Sequence, residues 1–132
     1  MDNVVNWKKI GGFAAALFLA EVLVGFIAGG IVGADLDAAK QRLALSSLLS
    51  LSFSTLVFLV MAAGQHRPFL HATLALLLTF ALSLALGAIL PAWLVDTPLL
   101  LTALEWLTLV LGLIIGTSIG RYVRLRRVRA DA

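Results

Sequence analysis

The sequence predicts an all-α membrane protein, a bundle of four transmembrane helices with both termini cytoplasmic. Three observations predict it. Apolar residues make up 61% of the 132-residue chain and charged residues only 13%, about half the roughly 25% typical of a soluble domain. The mean hydropathy is +1.06, and the apolar residues fall in four long blocks rather than along one face of amphipathic helices. The charges gather between the blocks. Outer-membrane strands would alternate in polarity over about 10 residues, and no such alternation is present.

The elements follow in order. The apolar run Ile10–Ala34 predicts a first helix over about 10–34. Lys8 and Lys9 precede it as in a signal peptide, but the run is too long for an h-region and lacks a clean cleavage motif, so it is read as a span. A second helix, about 43–64, contains no charge; Asp35 or Asp37 offers a cap for an earlier start, with Lys40 and Arg42 snorkelling to the interface. Gly64-Gln65-His66-Arg67-Pro68 supplies a C′ glycine and then a proline to open the third helix, about 69–90. Asp96-Thr97-Pro98 repeats that logic, an N-cap and an N1 proline, before the fourth, about 98–120. Each block meets the roughly 20 helical residues that a hydrocarbon core of about 30 Å requires. A basic tail, 121–132, follows, and the whole chain reads as one transmembrane domain.

Charge sets the expected orientation. Lys8, Lys9, Arg67, Arg121, Arg124, Arg126, Arg127 and Arg129 fall on one side, whereas Lys40 and Arg42 fall on the other beside Asp35, Asp37 and Asp96. The positive-inside rule then puts both ends and the middle loop in the cytoplasm of an inner (plasma) membrane. Trp7 and Tyr122 fall at the inner interface and Trp93 at the outer, as aromatic-belt residues do.

Several function classes are excluded at this level. Without cysteine there is no thiolate metal site or cysteine nucleophile. No nucleophile–base pair, HExxH or phosphate-binding loop is legible, so no enzyme, metal or cofactor is expected. His66 and His71 frame one loop and read as residues in water; a bis-histidine haem site would need facing depths. The high pI comes mostly from the C-terminal arginines, so nucleic acid is not implied. Arg121, Arg124, Arg126, Arg127 and Arg129 are expected to meet anionic lipid headgroups, at about 1 kcal/mol each.

Two residues interrupt the lipid-like runs: Glu21 and Glu105. An ionised group near the bilayer centre costs on the order of 2.5–3.5 kcal/mol, which makes each a functional-site hypothesis. At 1.5 Å per residue, Glu21 lies roughly 16 Å above the inner boundary and Glu105 roughly 21 Å. At similar depth, and if their helices are neighbours, the two carboxyls would share a proton or a cation, because two close carboxylates do not both ionise cheaply. The second helix carries Ser47, Ser50 and Ser54 on one face, either bonding back to their own helix or lining a polar pathway. Glu21 shares its stripe with Gly25, Gly29 and Gly33, and Glu105 with Gly112, Gly116 and Gly120. Such rows let helix backbones approach closely in lipid, in the same chain or another. Thr79, Ser83 and Gly87 form a comparable row on the third helix.

The segment Leu19-Ala20-Glu21-Val22-Leu23-Val24-Gly25 resembles the first helix of small multidrug resistance transporters. That resemblance implies a four-helix protein whose first-helix glutamate binds protons and cationic drugs in turn, a role that falls on Glu21. Gly25 comes one position later than the family's glycine. The third-helix tryptophan motif is missing, and the eight-to-two charge split departs from the family's frequent dual insertion.

The function expected from the residues is proton- or cation-linked transport or conduction by an oligomer, with Glu21 as the main titrating group and Glu105 as the second. The alternative is a non-catalytic assembly, anchoring or regulatory subunit whose glutamates meet another protein. A holin-like pore former is a third, weaker reading.

Overall fold

The computed structural model describes residues 5–31, 36–90 and 99–130. These form four helices: α1 (Trp7–Ile31), α2 (Leu36–Ala63), α3 (Pro68–Ile89) and α4 (Leu99–Ala130). All four are long and apolar enough to cross a membrane. Large apolar side chains point outward from every one of them, among them Phe26, Leu48, Leu77 and Leu107. In water such a surface would drive aggregation; against lipid tails it is matched.

α1 starts at an N-cap absent from the sequence reading. Asn6 Oδ1 accepts the Lys9 amide at 3.2 Å, which satisfies one donor left unpaired by the first turn. α2 begins before the charge-free block, with Asp37 and Lys40 paired at 3.6 Å on its exposed first turn. It does not end on a left-handed glycine as the sequence implied. No described glycine has positive φ, and Gly64 and Gln65 instead bond back to Met61 and Ala62 through amides at 3.2 and 3.4 Å. Pro68 opens α3 after Arg67, where its missing N–H costs nothing.

α4 departs most from expectation. The helix does not stop near Gly120 but continues through the arginines to Ala130, 32 residues in all. At 1.5 Å per residue it is about 48 Å long, some 18 Å more than the hydrocarbon core. The basic segment is therefore a helical extension and not an irregular tail. Its i, i+4 pair Tyr122 and Arg126 stacks, with the guanidinium 4.9 Å from the ring centroid. The predicted caps at Asp35 and Asp96–Pro98, and Trp93, lie outside the described residues.

The closest pair is α2 with α4, followed by α1 with α2 and α1 with α3. α3 meets α4 only loosely, and α1 and α4 are not packed against each other among the described residues. The glycine row of α4 explains the first pairing. A Cβ on Gly112 would run into the Ser54 side chain, and one on Gly116 would strike the Thr55 carbonyl and the Phe58 Cβ at 2.9 Å. One on Gly120 would lie 2.6 Å from the Ala62 Cβ. Only a bare helix face permits this approach, which in lipid replaces the hydrophobic drive with van der Waals contact. Gly25 behaves differently: it is exposed, and a Cβ there would meet nothing within 4 Å. Gly29 and Gly33 lie outside the residues whose surroundings are described.

The dry core occupies one half of the bundle. Ile10, Ala14 and Leu17 of α1 pack with Phe58 and Met61 of α2, Ala72 and Ala75 of α3 and Leu113 of α4. The same end brings together the start of α1, the 64–67 connection and the extension of α4. His71, expected in water, is buried there: its Nε2 accepts the Asn6 amide at 3.4 Å while Nδ1 lies 2.9 Å from the Arg67 carbonyl. Both contacts are satisfied together by the neutral ring that carries its proton on Nδ1. Arg124 reaches across from α4, donating to the Gln65 carbonyl and lying 2.7 Å from His66 Nδ1. It therefore ties down the α2–α3 connection, which the reading of it as a lipid-facing arginine did not include.

Candidate functional site

The other half of the bundle, where Val24 and Ala28 of α1 are also buried, holds a cavity. Where α3 and α4 separate, a cavity of about 490 Å³ opens between them and α1. α1 contributes Glu21; α3 contributes Thr79, Phe80, Ser83, Leu84 and Gly87; α4 contributes Thr102, Glu105, Trp106 and Leu109. The two membrane glutamates thus reach one space from helices that do not pack on each other. The depth arithmetic placed them at similar levels, and the gap between α3 and α4 brings them to a common cavity.

Glu21 sits mid-helix and half-buried. Ser50, buried on the facing side of α2, donates its hydroxyl to Glu21 Oε2 at 2.7 Å. Glu21 Oε1 is buried with no hydrogen-bond partner among the described residues. A carboxyl held by one oxygen and unsatisfied at the other accepts a proton or a cation readily, since an unpaired buried polar group costs about 1–3 kcal/mol and more if charged. Glu105 is more open, on the loosely packed face of α4.

The three serines do not act together. Ser54 is fully buried beneath Gly112 and donates to the Leu51 carbonyl of its own helix at 3.2 Å. Ser47 is half-buried, and neither it nor Ser54 lines the cavity. Only Ser50 touches a glutamate. The cavity's hydroxyls come from elsewhere: Thr79 and Ser83 from the small-residue row of α3, and Thr102 from α4. Thr79 Oγ1 lies 2.9 Å from the Ala75 carbonyl and 3.3 Å from that of Ala14, so it also joins α3 to α1.

An aromatic wall was not foreseen. Phe80 and Trp106 meet edge to face across the α3–α4 seam, with centroids 4.7 Å apart. Trp106 stands next to Glu105 in the sequence, which was a signal, but its partner 26 positions earlier has no local signature. No described group of three or more His, Cys, Asp or Glu side chains is placed to hold a metal. Among the described residues, no basic side chain lines the cavity.

Comparison with protein families, curated proteins and solved structures returns no match for this chain. Fold and geometry define the class: a small, all-helical protein with four apolar, membrane-length helices.

Proposed function

We propose that this chain is a non-enzymatic inner-membrane protein that moves protons or small cations, acting as an oligomer with both termini cytoplasmic. The observation that carries the reading is a cavity lined by both Glu21 and Glu105, with no basic side chain among its described lining residues. A space of that kind concentrates cations and repels anions. Glu21 is the principal binding group, held by Ser50, and Glu105 is the second carboxyl toward the far end of the helices. The extension of α4 presents Arg121, Arg126, Arg127 and Arg129 to anionic headgroups, while Arg124 is engaged within the chain.

The alternative, an accessory subunit of a larger membrane complex, draws on the open face at Gly25 and the exposure of Glu105. Purified protein in liposomes separates the two readings. Under transport, wild type carries proton or cation flux above empty vesicles, and Glu21→Gln, which keeps the shape of the side chain but does not ionise, loses it. Wild-type vesicles silent to protons, alkali cations and lipophilic cations would leave the subunit reading.

A further inference from the structure

We propose that the cavity is a one-ended vestibule: its ligand enters from the end of the bundle opposite the chain termini, and a dry plug centred on Phe58 closes the other end. The proposal rests on reading the cavity as a cation site and adds the direction from which that site is loaded.

The axial order of residues carries it. On α1, Leu17 in the core precedes Glu21 in the cavity by four residues. On α3, Ala75 precedes Thr79 by four, and on the antiparallel α4, Leu109 of the cavity precedes Leu113 of the core by four. On three helices, then, wet wall and dry core are separated by a single turn, about 6 Å. α2 completes the plug with Phe58 and Met61, at 0% and 1% exposure. From Leu17 the core continues to Ile10, a further seven residues or about 10 Å toward the terminal end. The clustered core side chains over that depth are apolar and close-packed. Of the buried polar groups beside them, Ser54 bonds to the Leu51 carbonyl and His71 is held between Asn6 and Arg67. The Thr117 hydroxyl has no partner among the described residues. In the other direction the lining reaches Gly87 in the last turn of α3, and Thr102 in the first turn of α4. Among the described residues, the polar lining thus runs from Glu21 toward the far end of the helices, while toward the terminal end the polar groups are isolated within apolar packing.

Phe58 is the centre of the plug for a second reason. Its Cβ is one of the atoms that a side chain at Gly116 would strike, so it lies against α4 at the middle glycine of the row. A movement of α4 on its glycine row would act on Phe58 directly. That makes Phe58 the residue whose displacement opens the terminal side.

The chain has no cysteine, so single-cysteine variants report access without background. Lys8→Cys, on the exposed start of α1, marks the terminal face. Ser83→Cys and Thr102→Cys mark the cavity. Each is exposed to a membrane-impermeant cationic methanethiosulfonate from one face of the membrane at a time. The cavity positions are expected to react from the face opposite Lys8→Cys only. The cationic reagent should react faster than its anionic counterpart by about tenfold or more, the low end of electrostatic focusing, and this preference should shrink in Glu21→Gln. On the Ser83→Cys background, Phe58→Ala should open reaction from the terminal face. Should Phe58→Ala not fold, the two cavity cysteines alone decide the matter. Reaction of Ser83→Cys from the terminal face in the otherwise unaltered chain would overturn the proposal. So would reaction only with a membrane-permeant maleimide, which would mean a cavity open to lipid alone. Access is read by labelling and transport by flux, so either can fail without the other.

Discussion

Ser50 and Glu21 form a side-chain hydrogen bond that joins a membrane carboxyl to another helix, and its length of 2.7 Å is that of a strong contact. Removing the hydroxyl leaves both carboxyl oxygens without a protein partner. Ser50→Ala should therefore fold and insert, yet change the concentration or pH at which flux is half-maximal. Ser54→Ala, which lacks such a contact, should leave that midpoint in place; equal midpoints for wild type and Ser50→Ala would remove Ser50 from the site. At this scale the sequence was only partly legible. Glu21 and Glu105 stood out because a carboxyl inside an apolar run is costly wherever it points. Which serine meets Glu21 was hidden: Ser47, Ser50 and Ser54 share a helical stripe, and only the packing of α2 against α1 selects among them. His71 was misread for a related reason. Its place beside a loop suggested water, but its ring caps contacts made by Asn6, 65 residues away.

Among the elements, the glycine rows separate sharply. Gly116→Ala would force α2 and α4 apart at the Thr55 carbonyl and Phe58, with a cost of about 1–3 kcal/mol for overpacking. Gly25→Ala meets open space and should be neutral within about 1 kcal/mol. Detergent melting of the two variants checks this, and a Gly25→Ala loss as large as that of Gly116→Ala would reveal a partner on α1 from another chain. The arginines of α4 divide in the same way. Arg124→Gln should lower stability by about 1–2 kcal/mol, the value of a charge-assisted hydrogen bond discounted for exposure, whereas Arg129→Gln should not. Equal melting curves for the two would show that the Arg124 contacts contribute nothing. Helix existence was legible because block length matches the bilayer. The end of α4 was not, because arginine is a good helix former and a charge cluster marks where lipid stops rather than where the helix does.

Among the described residues, the bundle carries its apolar core toward one end and its cavity toward the other, and its function is proposed to lie in that asymmetry. The sequence shows four apolar blocks but not their pairing, and pairing decides where space is left. The α4 glycines draw it onto α2 and away from α3, and the gap that results admits Glu21 and Glu105 to one cavity. If the two carboxyls form one transport site, their substitutions cannot act independently. The most direct test is the initial rate of cation or proton flux for four proteins in matched liposomes: wild type, Glu21→Gln, Glu105→Gln and the double variant. Glu21→Gln should fall by on the order of 10²-fold, the low end for a positioned proton-transfer group, and Glu105→Gln by less. The double variant should be no slower than Glu21→Gln alone, as for groups acting as a unit. Losses that multiply, or a wild type no faster than protein-free liposomes, would contradict a shared transport site.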